Sequence, residues 1–359
     1  MTTRIHPGLH RDIKAFGATG IDACMNCGNC TAVCSLATEG EAFPRRIIHL
    51  LQVGSRDRLL QSLEPWLCYY CGDCSASCPR DADPGEIMMA ARRYLTAQYD
   101  WTGLGRRVYI SRKWLAAAMV IVVGIVVSLF VFLHGPVVTD HVALNTFAPV
   151  GVIEMADWIG GGILALFLLA NACRMWRFVM EGSPRPKLRL LLSEARTMLV
   201  HFFTQKRWLG CTEEKPRWRK HVLLVSGYVT MMGLVIIGLR WFQTDAIRPF
   251  FYPTQLLGFY AAAVLLYVPA DFFMGRLRQR APIHRHSEGS DWLFVSLLFL
   301  AALTGILIHI FRVSGAPLAT YITYVVHMGI VAPMLIVEVP FGKWSHMLYR
   351  PLAVYLSAV

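Results

Sequence analysis

The sequence predicts an all-α protein in two parts: a cysteine-rich helical head followed by a bundle of six membrane-spanning helices. Composition predicts it first. The 359 residues are 55% hydrophobic and only 16% charged, against about 25% charged in an ordinary soluble domain. This excludes a purely soluble enzyme and any disordered or collagen-like chain. The unevenness of the sequence is the second observation. Polar sequence up to about Tyr99 holds most of the cysteines, and long apolar runs alternate with short basic stretches from Trp114 onward. The third is the helical, not alternating, spacing of apolar residues between the cysteine runs.

The head carries two runs, Cys24-Met-Asn-Cys27-Gly-Asn-Cys30-Thr-Ala-Val-Cys34 and Cys68-Tyr-Tyr-Cys71-Gly-Asp-Cys74-Ser-Ala-Ser-Cys78-Pro79. Both read C-x2-C-x2-C-x3-C, the bacterial ferredoxin spacing for [4Fe–4S] clusters. Three closely spaced thiolates wrap three corners of one cubane, and the fourth leaves on a short helix to reach the other cluster. The expected sets are Cys24, Cys27, Cys30 and Cys78 for one cluster, and Cys68, Cys71, Cys74 and Cys34 for the other. Gly28 and Gly72 fall where the loop must turn tightly past the inorganic core. The alternative is a pair of zinc sites, but zinc needs only two C-x2-C knuckles for four ligands. Of the remaining cysteines, Cys173 reads as packing within a span and Cys211 as a free thiol in a basic loop.

Between the runs, Pro44 opens a helix whose stripe is Ile47, Ile48, Leu50 and Leu51, and Gly54 ends it. After Cys78, Asp83 is placed to cap a helix with Pro84 at its first position, running through Met88, Met89 and Tyr94.

A bilayer-spanning helix needs about 20 mainly apolar residues. The expected spans are Trp114–His134, Asp157–Val179, His221–Phe242, Gln255–Leu277, Trp292–Val313 and Leu318–Phe341. Lys and Arg set their orientation. Arg106, Arg107, Arg112 and Lys113 precede the first span. The loop after the second holds Arg185, Lys187, Arg189, Arg196, Lys206, Arg207, Lys215, Arg217, Arg219 and Lys220, and the loop after the fourth holds Arg276, Arg278, Arg280 and Arg285. Gly135–Ala156 has none and Gln243–Pro253 only Arg248. The positive-inside rule therefore predicts an inner-membrane, multi-pass protein with its head and C terminus in the cytoplasm. The expected division is residues 1–100 for the head, 101–113 for a basic linker and 114–359 for the membrane domain. Met1–Gly20 has no apolar core of a signal peptide, so the cysteines are expected in a reducing compartment where disulfides are rare. The net charge of +12 is then a topology signal, and no nucleic-acid partner is expected.

Ionisable residues inside spans are costly and point to function. Beside iron–sulfur clusters, intramembrane histidines suggest haem b held by two axial imidazoles from two helices. His221 opens the third span and His346 follows the sixth, at the same depth, so they suit one haem. His327 lies deeper. Its partner is Met232, three turns after His221, or His309 on the neighbouring helix. One haem or two are therefore open. The alternative for each is a hydrogen bond to another helix. His134, His141, His284 and His286 fall at span ends or in loops. Asp271 and Glu338, near cytoplasmic span ends, are candidate proton carriers or snorkelling residues. Arg240 and Arg312, near outer ends, are candidate headgroup or propionate anchors.

The stretch from about Ile21 to Leu95 resembles the α-helical ferredoxin domain of the heterodisulfide reductase C subunits, and more distantly the iron–sulfur subunits of succinate dehydrogenases. The residues that carry this are the two cysteine runs, Phe43-Pro-Arg-Arg-Ile-Ile-His-Leu-Leu-Gln-Val-Gly54 and Trp66-Leu-Cys68. From about Asp157 onward the chain resembles the cytochrome b family that includes the nitrate reductase gamma subunits and the heterodisulfide reductase E subunits. There, His327 and the tail Lys343-Trp-Ser-His346 fit the histidine pair of the last helix, and His221 fits the inner position of the other. Met231 or Met232 stands where the family has its outer histidine, and the first span is extra. The fusion resembles the C subunits of the quinone-interacting membrane-bound oxidoreductases. That resemblance implies exchange of electrons between a quinone such as menaquinone and a cytoplasmic oxidoreductase. It further implies soluble flavin and iron–sulfur partners resembling the heterodisulfide reductase A subunits, and service to adenylylsulfate reductase in sulfur metabolism. Two other readings stand beside it: the membrane subunit of a heterodisulfide reductase, and a ferredoxin-headed membrane anchor or transporter without haem. No G-x-G-x-x-G turn, G-x-x-x-x-G-K-[ST] loop or Cys-Cys pair occurs, so the site of two-electron chemistry is expected on partners.

Overall fold

The computed structural model describes residues 4–37, 42–184, 186–210, 215–281, 284 and 288–359. Cys211, Arg185, Arg285 and His286 lie outside the described residues. Among those described, all regular structure is helical.

The head begins with α1 (Leu9–Ala15), and α2 (Arg45–Val53) follows the first cysteine run. Pro44 precedes α2, and Gly54 ends it with φ +75°, a left-handed residue that only glycine adopts freely. Ile47, Ile48, Leu50 and Leu51 are buried, and each contributes about 1.5–3 kcal/mol of burial. The second run leads into α3 (Pro84–Tyr99), where the Asp83 side chain accepts the Glu86 N–H at 3.3 Å. Both helices thus start and stop where their capping residues direct. The expected linker is itself structured: Asp100 accepts the Gly105 N–H at 2.7 Å at the start of α4 (Leu104–Ile110).

Among the described residues, five helices are long and apolar enough to span a membrane. They are α5 (Arg112–Leu133), α6 (Val150–Val179), α9 (Pro253–Leu277), α10 (Gly289–Val313) and the run from Pro317 to Phe341, which begins as α11 (Pro317–Pro333). Between α6 and α9 lie α7 (Leu188–Thr204) and α8 (Lys215–Ile236), and α12 (His346–Leu356) closes the chain.

Four boundaries depart from the sequence reading. The second span starts at Val150, not Asp157. Pro149 opens the helix, and the carboxylates of Glu154 and Asp157 are carried inside it; Glu154 pairs with Arg240 at 2.6 Å. The expected span His221–Phe242 is displaced toward the N terminus, with helix from Lys215 to Ile236 and a turn at Gly238 before Leu239–Phe242. Its first turns carry Lys215, Arg217, Arg219 and Lys220, which form helix readily but shorten the apolar stretch. The sixth run changes winding after Pro333, where Met334–Glu338 form a π-helical turn. The stretch read as a basic loop contains α7, whose leucines are spaced for an amphipathic helix.

α8, α9, α10 and the π turn share a core that includes Leu224, Val264, Leu265, Val268, Leu298 and Met334. Gly227 lets α8 approach α9, because a β-carbon there would run into Val264. α5 and α6 leave large apolar side chains outward, Phe132 at 81% and Leu166 at 68% exposure. Faces of that kind need a lipid or partner cover. The head packs on one end of the bundle: Trp66 and Tyr99 lie 4.9 and 5.1 Å from the Tyr349 ring of α12. Arg174 of α6 donates to the Gln98 carbonyl at 3.1 Å.

Candidate functional site

Each cysteine run forms the same local structure. Gly28 and Gly72, with φ +89° and +96°, each open a single helical turn, Asn29–Ala32 and Asp73–Ala76. The last cysteine of each run leaves from that turn. Cys34 joins Cys68, Cys71 and Cys74 in the wall of one pocket. In the other group, Cys24 and Cys27 are the thiols that act on Cys30. Asn29 Nδ2 donates to the Ser77 carbonyl, which ties the first turn to the residue beside Cys78. Burial raises the Cys30, Cys34 and Cys74 thiols above their usual range, and neighbouring cysteines add to the effect. Such thiols hold negative charge only when cations share it. Among the described residues no three His, Cys, Asp or Glu side chains converge on a single metal ion. Four cysteines in the wall of one pocket are the ligand number of one [4Fe–4S] cluster.

The loop of the second run sits in a positive setting. Arg92 of α3 and Arg350 of α12 both donate to the Cys68 carbonyl. Arg350 Nε also donates to the Trp66 carbonyl at 3.2 Å, and Arg217 to the Tyr70 carbonyl at 2.8 Å. Burial, then the charge of Arg350, lowers Arg92 to about 9. Beside them Glu86 and Arg93 form a buried ion pair at 2.7 Å, with the Tyr70 hydroxyl donating to Glu86 at 3.1 Å. Burial raises the Glu86 carboxyl, and Arg93 opposes it.

His221 of α8 and His346 of α12 face each other with ring centres 6.3 Å apart. A metal bonded at about 2 Å to each of two imidazoles separates ring centres by roughly 6 Å. The Nδ1–H of His346 is placed to donate to the Lys343 carbonyl at 2.6 Å, which directs Nε2 outward as a ligand. Burial lowers His346 to about 3, so the ring is neutral, the form that binds metal. Among the described residues, the buried His221 Nδ1 has no hydrogen-bond partner. Both rings line a cavity of about 410 Å³ between head and bundle, walled by Trp208, Tyr228, Phe272 and Trp344 among others. That volume lies in the range of cofactor sites. These residues fit a haem.

An aromatic route joins the two sites. Tyr69, next to Cys68, stacks on Trp208 at 5.3 Å, and Trp208 lies edge-on to His221 at 5.3 Å. Neither ring was singled out from the sequence, although Tyr69 is adjacent to a cysteine and Arg350 lies one turn from His346.

The other histidines are placed apart. His327 Nδ1 is 2.9 Å from the Thr304 hydroxyl, a hydrogen bond between α11 and α10. His309 packs against Phe259 with ring centres 5.1 Å apart, more than a turn beyond Thr304. Met231 packs in the bundle core, and Met232 is not part of that cluster. Asp271 pairs with Lys220 at 2.6 Å and Arg280 at 3.1 Å.

The fold and the paired cysteine loops define a dicluster iron–sulfur domain joined to helices of membrane-spanning length. The 4Fe-4S dicluster domain family matches residues 22–82. The N-terminal region is similar to the C subunits of heterodisulfide reductases. A protein of Archaeoglobus profundus described as like the heterodisulfide reductase C subunit is 41% identical over 98 residues, 27% of this chain and 52% of that protein. The C subunit of the ferredoxin:CoB-CoM heterodisulfide reductase of Methanosarcina acetivorans is 34% identical over 83 residues, 23% of this chain and 33% of that one. The C subunit of the H(2):CoB-CoM heterodisulfide,ferredoxin reductase of Methanothermobacter thermautotrophicus is 31% identical over 80 residues, 22% and 43% respectively. The chain thus spans between a third and about half of the length of these curated relatives. No solved structure matches it.

Proposed function

We propose that the chain is the membrane subunit of an oxidoreductase complex, moving electrons between a membrane quinone such as menaquinone and a cytoplasmic oxidoreductase. Residues 1–100 form the ferredoxin domain, 101–113 the linker and 114–359 the membrane domain, with α8 as a sixth span. The head and C terminus face the cytoplasm of an inner membrane. Cys24, Cys27, Cys30 and Cys78 hold one [4Fe–4S] cluster, and Cys68, Cys71, Cys74 and Cys34 the other. His221 and His346 hold one haem b, which supplies a one-electron store between quinone and clusters.

The observation that carries this reading is the pair of rings 6.3 Å apart beside the second cysteine loop. His346 orients its ring through Lys343, and Arg350, one turn on, holds the Cys68 loop. Tyr69 and Trp208 stand between loop and rings as a line of stacked and edge-on aromatic contacts. His327 serves as a tie between helices, with His309 outside the electron path.

The soluble partners are flavin and iron–sulfur proteins resembling the heterodisulfide reductase A subunits, with adenylylsulfate reductase as the enzyme served. The names of the relatives favour a second reading, in which the partner is a heterodisulfide reductase catalytic subunit. Co-purification from the native membrane separates the two. A reduced-minus-oxidised optical spectrum of cluster-loaded protein tests the haem. Bands of b type are expected, and their absence would leave a ferredoxin-headed membrane anchor or transporter.

A further inference from the structure

Glu338 is fully buried, and its Oε1 has no hydrogen-bond partner among the described residues. Leaving a carboxyl oxygen unmatched in the interior is costly, and the surrounding structure is built to keep it there. Glu338 closes the π-helical turn Met334–Glu338, a deviation that recurs at functional sites. Gly342 makes the space: a β-carbon on it would overlap the Glu338 carboxyl. Oε2 accepts the Lys343 N–H at 3.2 Å. The same Lys343 offers its carbonyl to His346 Nδ1 at 2.6 Å and its Nζ to Asp291. The groups that face Glu338 are Lys343 on its own segment, Asp291 at the start of α10 and Tyr109 of α4. From α6, Phe167 packs on Phe341 beside it. Tyr109, Asp291 and Lys343 line the cavity that holds the two histidine rings.

We propose that Glu338 is a redox-linked proton site: it takes up one proton as one electron arrives at the centre held by His221 and His346, and releases it when the electron leaves. The proposal rests on the reading of that pair as haem ligands. The electron comes from a membrane hydroquinone and the proton from water reaching the cavity. One negative and one positive charge enter together, so the net buried charge is unchanged. The proton forms one O–H bond with the Glu338 carboxylate, and the hydroquinone yields its two electrons in two such turns, releasing its own two protons to water as it becomes quinone. The physical cause is that an added negative charge in a low-dielectric interior favours the neutral form of a nearby acid.

The test is a reduced-minus-oxidised infrared difference spectrum of the full chain in lipid nanodiscs, in H2O and D2O, with the optical spectrum recorded on the same sample. Reduction is expected to produce a protonated-carboxyl C=O band that shifts in D2O and disappears in Glu338→Gln. The equilibrium constant for reduction is expected to change about tenfold per pH unit in the native protein and to lose that dependence in the variant. Gly342→Ala, which displaces the carboxyl without removing it, is expected to shift the band. If Glu338→Gln does not assemble, native protein labelled with 13C-glutamate together with Gly342→Ala decides the matter. Normal b-type bands with no carboxyl band, or a band that survives Glu338→Gln, overturn the proton site alone. Absence of b-type bands in the native protein overturns the functional reading, and the proton site with it.

Discussion

Arg350 offers the sharpest perturbation of the proposed electron path. Its guanidinium is mostly buried, donates to the Cys68 and Trp66 carbonyls, and lies 4.3 Å from the Tyr69 ring centre. Standard bond lengths put that charge roughly 8 Å from a cluster bonded to the Cys68 sulfur. At an effective dielectric constant of about 20, a unit charge at that distance is worth about 2 kcal/mol. For a one-electron couple this is about 90 mV, taking about 59 mV per tenfold change in equilibrium constant. A reduced cluster is the more negative form, so removing the cation lowers the potential. Arg350→Gln is therefore expected to drop the potential of the cluster held by Cys34, Cys68, Cys71 and Cys74 by an amount on the order of 90 mV. The cluster held by Cys24, Cys27, Cys30 and Cys78 is expected to move much less. Arg92 still donates to the Cys68 carbonyl and keeps the loop in place. Arg350→Lys retains the charge and is expected to shift the potential by less than half as much. The assay is potentiometric titration followed by electron paramagnetic resonance, with the two clusters resolved. If neither cluster moves, or both move alike, the placement of Arg350 as an electrostatic partner of one cluster is wrong.

Three further outcomes are expected. His346→Ala and His221→Ala each remove one of the facing rings, so b-type absorbance is lost while cluster iron is retained; equal loss of iron and haem would mean that the variants simply misfold. Cys34→Ser is expected to alter the same cluster signal as Cys71→Ser, and Cys78→Ser the same signal as Cys27→Ser; pairing by run instead of across runs would refute the exchange of fourth ligands. Burial, then the charges of Arg350 and Arg207, lowers His201 to about 4. The unfolded chain therefore binds its proton first, and the stabilisation by the neutral ring is complete above about pH 6.5 and lost as the pH falls toward 4. The protection factors of α7, which correct exchange for its intrinsic pH dependence, are expected to fall between pH 7 and 5, and His201→Asn is expected to abolish the fall.

The parts of this molecule readable from sequence are those fixed by local chemistry. Asp83-Pro84, Pro44 and Gly54 set helix ends within a few residues of themselves, and the Cys spacing with Gly28 and Gly72 sets two identical loops. Five of the six expected span positions were legible from apolar length, the third falling short, and the ends were not, because Glu154 and Asp157 ride within a helix that an apolar count ends early. α7 was hidden because its arginines read as a topology signal while its leucines, at helical spacing, went unused. His221 and His346 were paired from depth alone. Trp208, Tyr69 and Arg350 gave no such signal, since what brings them together is the docking of the head on α12, a contact between residues hundreds of positions apart. Pro333 pointed to a bend, and the π turn that buries Glu338 is the form the bend takes.

The docking also orders the two cluster sites. The second run lies under three arginines, with Tyr69 at 3% exposure and Cys68 at 8%. In the first run Cys27 is exposed, as are Met25 and Val33, while Cys30 is buried. In the proposed path, an electron leaving the histidine pair would meet the Cys68 loop before the Cys24 loop. A soluble partner of the proposed complex would meet the outer loop, where the apolar Met25 and Val33 are exposed. The cations around Cys68 would favour the reduced state of a cluster held there, which would take an electron more readily than one in a neutral loop. The outer loop has Arg45 beside Gly28 in place of that group of three, and its Cys27 is exposed. The two identical cysteine motifs are therefore made unequal by what the membrane half brings to one of them, and that inequality is the physical basis for giving them different places in the chain of transfer.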